Sequence, residues 1–549
     1  MATIEKVGSK ADDVDVQAVP LPETKNGNMA TVEKVGSKGD DVDVQAVPLP
    51  EDLAEATMIE KPRFFSKQIM KLFGFCCVGF ACSTMYGFDA SLMSLLLVMD
   101  SFQDQFGVDV AGAKAGYVTA LLQIGSVCAI PFIGVVLDKL GRRAGMLVGC
   151  SFGVLGIILE GTSAASHKLP QYLAGRFFLG FGAAMATAAA PSYAVEIAHP
   201  AYRGTMSGMI NCSYDIGGIL ASGVARASSS YSGNKQWLLP TWVQMIFSGS
   251  VVLAVFLIPE SPRWHYSHGS RQAAVDFLTK YHGNGDVNSP IVQLEIQEFE
   301  RGIELSENMP WYDFRAFSHK PNLFRLMNCL TLAVFSAWSS GGVGSFAAKF
   351  YHSTGVTDET SILNYSLGYN IYSAAHSYFG AYLCNRINRR TLLLIGLVGM
   401  TICWTGMTIG TARFSINPTP SSARCGLAFY FLFASAYGIS LTPLVSLYPY
   451  EVLSYRQRAK GASLYSLTNS AAALVNQFGT PVAMQNIGWK MYLVMACWLA
   501  VQTVWAFFTI TESRGFTLEE LDDIYAARNP VKESIKRNRE MKKKLKAAN

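Results

Sequence analysis

Twelve stretches of this chain run for about 20 residues with few or no charges, and that pattern leaves little choice of fold. They lie near 70–93, 114–137, 144–163, 171–191, 205–224, 239–258, 323–347, 364–384, 391–411, 425–447, 461–482 and 488–510. About 20 apolar residues wound as a helix cross the hydrocarbon core of a bilayer. A helix also satisfies its own backbone N–H and C=O groups, which lipid cannot do. Only 15% of the residues are charged and half are hydrophobic, whereas a soluble chain carries about a quarter charged residues. The expected fold class is an all-α membrane protein with twelve transmembrane helices.

The charges between these stretches sort by side. "DKLGRR" follows the second span, "SPRW" the sixth and "NRINRR" the eighth, "YRQRAKG" precedes the eleventh, and a basic tail follows the twelfth. Placing both termini and the 259–322 segment in the cytosol puts every cluster inside, as the positive-inside rule requires. The organisation expected is an acidic cytosolic tail (1–65), a six-helix half (66–258), a cytosolic helical linker (259–322), a second six-helix half (323–512) and a basic cytosolic tail (513–549). The basic tail sits where it can touch anionic lipid. The acidic tail repeats "ATIEKVGSKADDVDVQAVPLPE" almost unchanged 28 residues later, and its composition is that of a disordered segment. No cleavable signal peptide is expected, because the first 60 residues are polar. The first span is then the insertion signal. Nothing else in the chain supports a nucleic-acid partner.

The two halves echo each other. Arg142 and Arg389 stand 247 residues apart, Glu196 and Glu451 stand 255 apart, and Glu260 and Glu512 stand 252 apart, each pair in a similar local sequence. Three signals at nearly one spacing point to a duplicated six-helix unit. Two such halves related by an axis along the membrane normal form a rocking transporter with its site between them.

The motifs make a resemblance specific. Gly134, Asp138, Gly141, Arg142 and Arg143 form a GxxxDxxGRR loop. Arg176 stands in "LAGRFFLGFG". Pro191, Tyr193, Glu196, Pro200, Arg203 and Gly204 form PxYxxEIxxPxxRG. "PESPRW" (259–264), "YPYEVLSYRQRAKG" with Glu451, Arg458 and Gly461, and "TESRGFTLEE" complete the set. Together they resemble the sugar porter branch of the major facilitator superfamily over roughly residues 65–525, and within it the fungal lactose and cellodextrin permeases. Ser454 replaces the usual proline. The resemblance implies the major facilitator fold, two pseudo-symmetric halves, and a gating charge cluster of Asp138, Arg142, Arg143, Glu196, Arg203, Glu260, Arg389, Arg390, Glu451, Arg458 and Glu512. Such a cluster holds one state and breaks in the other.

Asp89, in "MYGFDASLMSLLLVMD", is a carboxylate inside an apolar run, and an ionisable residue there is costly and functional by default. By topology Asp89 lies near the outer end of the first span and Arg176 near the outer start of the fourth, so the two can pair. In the proton-coupled members of the family the matching aspartate is the proton site and the arginine its partner. A static buried ion pair, or a carboxylate reaching to the interface, is the competing reading.

For the substrate, the resemblance points to Asn211, Tyr214, Asp215, Gln244, Trp338, Ser339 and Thr442, with a sugar as the expected cargo. Helix seven departs from the disaccharide permeases: "SAWSSGG" keeps Trp338 but has Ala337 and Gly341 where amides are usual. Lost amides are lost hydrogen bonds to hydroxyls, and such losses discriminate strongly. Asp215 is a second acid within a span, suited to a cationic group, a proton or a hydroxyl, or simply satisfied in the core. Pro443 beside Thr442 is a hinge or a static kink. The eleven cysteines show no paired framework and read as packing residues; the eight histidines show no ligand spacing, so no metal and no cofactor is expected. Asn364-Tyr-Ser is a formal glycosylation sequon at a span edge, with no use expected. The chain carries no enzyme fingerprint. The leading reading is proton-coupled sugar uptake at the plasma membrane. A non-sugar metabolite on the same fold, with export as one direction, and a transporter-like nutrient sensor are the alternatives.

Overall fold

The computed structural model describes residues 65–110, 112–307, 317–340, 344, 346–384, 386–453, 458–514, 516 and 518–548. The acidic repeat and Ser454 lie outside the described residues. Every regular element among them is a helix. The first six-helix unit comprises α1 (Lys67–Leu96), a short α2 (Asp100–Phe106), α3 (Ala113–Lys139), α4 (Arg142–Ser166), α5 (Leu169–Ile197), α6 (Arg203–Ser228) and α7 (Lys235–Ala254). The linker folds as α8 (Pro262–Ser267), α9 (Arg271–Tyr281) and α10 (Pro290–Glu307). The second unit comprises α11 (Lys320–Ser339), a short α12 (Ala347–Ser353), α13 (Glu359–Cys384), α14 (Arg389–Ile416), α15 (Pro420–Val452), α16 (Arg458–Ile487) and α17 (Lys490–Thr509). Two tail helices follow, α18 (Leu518–Ala526) and α19 (Pro530–Ala548).

Twelve of these helices are long, at the twelve expected positions. Eight are apolar enough to cross a membrane by length and composition alone. The other four, α6, α11, α13 and α16, run 20 to 30 residues but are more polar. Their polarity follows from their place. The halves meet through α3 against α16 and α6 against α13, and α11 packs on α16. A helix facing a partner or a wet cavity need not be apolar all round. The seventh span ends at Ser339, earlier than the expected 347, where the glycine-rich "SSGGVGS" begins; glycine disfavours helix by about 1 kcal/mol per residue.

Arginine-rich loops gather at one face, called here the basic face. Side-chain bonds between the halves cluster toward the opposite face. Thr119 Oγ1 donates to the Gln477 carbonyl (3.4 Å). Asn370 Nδ2 donates to the Gly218 carbonyl (3.1 Å) and to Ser222 Oγ (2.5 Å). Arg226 Nε donates to Asn364 Oδ1 (2.8 Å), and Gln236 Nε2 to Glu359 Oε1 (2.5 Å). Nearer the basic face, Phe132, Val135, Phe379 and Tyr382 on α3 and α13 are exposed. The side-chain bonds that join the halves are thus concentrated at the opposite face.

The linker is pinned to the first half by charge. Glu295 on α10 is buried and accepts from Arg203 Nη2 (2.8 Å) at the start of α6 and pairs with His282 Nδ1 (2.5 Å). The second ring nitrogen of His282 reaches the Ile197 carbonyl (3.1 Å).

Candidate functional site

Sequence places Asp89 seven residues from the end of α1 and Arg176 seven residues into α5. At 1.5 Å per residue both sit about 10 Å from the opposite face. The structure brings them together: Arg176 Nη1 donates to Asp89 Oδ1 at 2.5 Å, and both side chains are sealed from solvent. Above the pair, toward the opposite face, Phe102 and Phe106 of α2 pack on Tyr172 and Trp237, at centroid distances of 5.2 to 5.6 Å. All four rings are buried. This aromatic plug excludes water from the pair on that side, and a low local dielectric strengthens the charge interaction.

A third charged side chain joins them. Glu160 of α4 lies with Oε1 3.9 Å from Arg176 Nη1, and it is fully buried. It carries the same sequence signal as Asp89, an acid inside an apolar run ("GIILEGTSAAS"), although no family motif marks it.

The candidate substrate residues divide. Tyr214 is partly exposed and its ring lies 5.6 Å from that of Tyr86. Asp215 faces Ser377 of the other half, and its Oδ2 has no partner among the described residues. Gln244 is buried with neither amide atom partnered among the described residues. Trp338 Nε1 donates to the Ala472 carbonyl (2.8 Å), and its ring packs on Trp498 at 5.3 Å. Thr442 is half-buried beside Pro443 in α15. Ser339 is different: it is fully buried, donates to Phe335 O and Gln502 Oε1, and its carbonyl accepts from Trp404 Nε1. Its hydroxyl is spoken for inside the second half. The side chain of Asn211 lies outside the described residues.

The charge cluster forms twice, once in each half. Glu260 accepts the backbone N–H groups of Arg142 and Arg143 (both 3.1 Å) and so caps the N-terminus of α4. Arg142 Nε reaches Glu196 at 3.0 Å, and Ser261 Oγ donates to Glu196 as well. Arg143 turns away to the carbonyls of Val255 (2.6 Å) and Phe256 (3.4 Å). In the second half Glu512 accepts the N–H of Arg389 (2.8 Å) and of Arg390 (3.2 Å). Arg389 pairs with Glu451 at 2.9 Å, Ser513 donates to Glu451 (2.6 Å), and Arg390 donates to the carbonyls of Ile510 (2.5 Å) and Phe507 (2.6 Å). Burial pushes both Glu260 and Glu512 above the ordinary glutamate range, while the backbone donors pull the other way. A carboxylate at a helix N-terminus also meets the positive end of the helix dipole.

Two members stand apart from this pattern. Asp138 is mostly exposed and only 3.9 Å from Arg142. Arg203 belongs to the linker contact with Glu295 and not to the Arg142–Glu196 cluster. Each half thus ties off its own helix ends, and the cluster of the first half recurs in the second. The side chain of Arg458 lies outside the described residues.

A bundle of twelve long helices, with a sealed ion pair inside one half and matched capped loops at one face, is a membrane transporter of the major facilitator type. Residues 75–525 match the "Sugar (and other) transporter" family, and the chain belongs to it. It is similar to the high-affinity glucose transporter of Kluyveromyces lactis, with 25% identity over 498 residues that cover 85% of this chain and 88% of that one. It is also similar to the quinate permease of Emericella nidulans, with 26% identity over 468 residues covering 81% and 86%. Among solved structures its fold matches the inward-open conformation of the xylose transporter XylE from E. coli, with a TM-score of 0.68 at 17% identity, over 82% of this chain and 99% of that one.

Proposed function

We propose that this chain is a proton-coupled symporter that takes up a sugar across the plasma membrane by alternating access, with both termini and the basic face in the cytosol. The observation that carries the reading is the sealed Asp89–Arg176 pair. Ionisable groups at membrane depth are expensive to keep and mark ion pathways. A carboxylate held by one arginine binds a proton when the arginine moves off, so its charge state and the conformation are linked. The relatives named above include a glucose transporter, which supports a sugar as cargo. The arginine-rich loops favour the cytosolic side for the basic face. Tyr214, Asp215, Gln244, Trp338, Thr442 and Asn211 are the proposed cargo contacts, and Ser339 supports Trp404 from behind them. The capped Arg–Glu clusters serve as the rigid feet of each half.

A second reading keeps the fold and changes the cargo to a polar non-sugar metabolite. The Oδ2 of Asp215, set between the halves and without a partner among the described residues, favours it, and one relative is a quinate permease. The test is uptake in transport-deficient yeast of labelled glucose, xylose, lactose and cellobiose, with and without an imposed proton gradient, for wild type and Asp89→Asn. Gradient-driven accumulation of one sugar that Asp89→Asn abolishes supports the symporter. A protein that reaches the membrane and moves none of them overturns the sugar reading. Accumulation that Asp89→Asn leaves intact overturns the coupling role of Asp89, and any robust flux excludes a sensor without transport.

A further inference from the structure

Glu160 has no place in the mechanism so far, yet the structure builds a pocket for it. Its carboxylate is fully buried, and neither oxygen has a hydrogen-bond partner among the described residues. Its Oε1 stands 3.9 Å from the same Arg176 Nη1 that donates to Asp89. Arg176 Nε and Asp89 Oδ2 are likewise without partners there. Room for the side chain comes from Gly175: a Cβ there would lie 2.6 Å from Glu160 Cγ. Glu160 is six residues from the end of α4, so it sits at the depth of Asp89 and Arg176. The titratable groups facing it are Arg176 and Tyr172 from α5 and Asp89 from α1, with Tyr86 beyond Asp89. Helices α3 and α7 carry acidic or basic residues only at their ends.

Two carboxylates therefore share one guanidinium in a sealed space. Both ionised would leave an uncompensated negative charge, and both protonated would leave an unpaired arginine; each is costly in a low dielectric. One proton between the two acids avoids both. In the state seen here Asp89 holds the short ion pair, so Glu160 is the acid that keeps the proton.

We propose that Glu160 is a second proton station, and that Arg176 decides which of the two carboxyls is ionised. This rests on the symporter reading above. When Asp89 takes up a proton from the outer side, Arg176 swings to Glu160, which releases its own to the cytosolic side. When Arg176 returns to Asp89, the Asp89 proton passes to Glu160. One proton enters and one leaves per cycle, and the site carries one negative and one positive charge throughout.

Infrared difference spectroscopy on the purified full-length protein at neutral pH tests this without a cargo. Wild type minus Glu160→Gln is expected to show one buried protonated carboxyl. Asp89→Asn minus Asp89→Asn/Glu160→Gln is expected to show an ionised carboxylate instead, because Arg176 then has only Glu160 to pair with. A carboxyl at Glu160 that is ionised in wild type, or one that stays protonated in Asp89→Asn, overturns the proposal. Glutamine mimics a protonated glutamate, so Glu160→Gln should fold. In proteoliposomes with glucose as the probe, it should keep counterflow while the acid limb of gradient-driven uptake moves by about one pH unit or more toward acid. Glu160→Asp should restore part of the shift. A wild-type pH profile in Glu160→Gln, alongside lost accumulation in Asp89→Asn, rejects the second station and leaves the symporter reading standing. Accumulation preserved in Asp89→Asn rejects the reading itself.

Discussion

The GxxxDxxGRR loop looks uniform in sequence, but its residues differ in what their loss costs. Gly141 has φ 97° and ψ 169°, a region only glycine enters freely. Forcing another residue there costs about 1–3 kcal/mol. A Cβ on Gly141 would also lie 2.3 Å from Glu260 Oε2 and 2.7 Å from its Cδ. The carboxylate would have to retreat from the N–H groups of Arg142 and Arg143. Hydrogen bonds to charged groups contribute about 1.5–3 kcal/mol each, so losing both brings the total for Gly141→Ala to about 4 kcal/mol or more. Such a loss is rare for one methyl group. Asp138→Ala removes only an exposed contact at 3.9 Å, which contributes about 0–1 kcal/mol. The second half supplies an internal control. Asn388 occupies the position of Gly141 with φ −62° and ψ 138°, so no strain attaches to a side chain there. Asn388→Ala loses one bond to Asn538 (2.9 Å), about 1 kcal/mol. Thermal melting of the detergent-solubilised protein, followed by size-exclusion chromatography, should rank the three with Gly141→Ala far below the other two. A Gly141→Ala protein that melts with Asp138→Ala would refute the capping argument.

Three other expectations follow from the same contacts. Arg203→Ala leaves Glu295 buried beside His282 alone, and should weaken linker docking by about 1.5–3 kcal/mol; faster proteolysis within 268–307 measures it. His199 is buried and close to His282, and burial and that neighbour lower it from the usual 6.5 to about 4. Because its folded value is depressed, the undocked state, in which His199 is freed from the linker, binds more protons between about pH 6.5 and 4, so docking should weaken as pH falls through that window; hydrogen exchange in α9 and α10 at pH 7.5 and 5.0 reads it, and His199→Asn should flatten the difference. Arg325 is buried against Asp522 (2.5 Å) and under the ring of Tyr525 (4.6 Å). Deleting residues 515–549 strands that cation and should cost about 3–5 kcal/mol, a clear drop in melting temperature.

The sequence was informative where chemistry conflicts with surroundings. Asp89 and Arg176 stand out as charges in apolar runs, and topology alone sets them at one depth. The pairs Arg142–Arg389, Glu196–Glu451 and Glu260–Glu512 were legible as repeats, and each member makes the same contact as its counterpart. Glu160 was equally legible by the conflict of an acid with its apolar run. Ser339 was not, because whether a hydroxyl faces the cavity or the helix behind depends on a helix rotation that motif spacing leaves open. Arg203 was misplaced for another reason: its partner Glu295 is 92 residues away on a linker helix, and nothing local announces it. The spans α6, α11, α13 and α16 read less clearly than the other eight, since they face a partner helix and are not apolar all round.

The repeated caps bear on how the halves move. If the Arg–Glu clusters were latches between the halves, their partners would lie in opposite halves. Each instead ties a helix start to the segment that leaves its own six-helix unit: α4 to Glu260, α14 to Glu512. Breaking them for every cycle would cost several hydrogen bonds to charged groups at once. The contacts across the halves are of another kind: single neutral or singly charged bonds such as Asn370–Ser222, Arg226–Asn364 and Gln236–Glu359, each contributing about 1–3 kcal/mol. These are weak enough to exchange for cargo contacts. The division of strong bonds within halves and weak bonds between them is what a rigid-body rocking motion requires, and the buried Asp89–Arg176–Glu160 cluster lies wholly inside one of the two bodies.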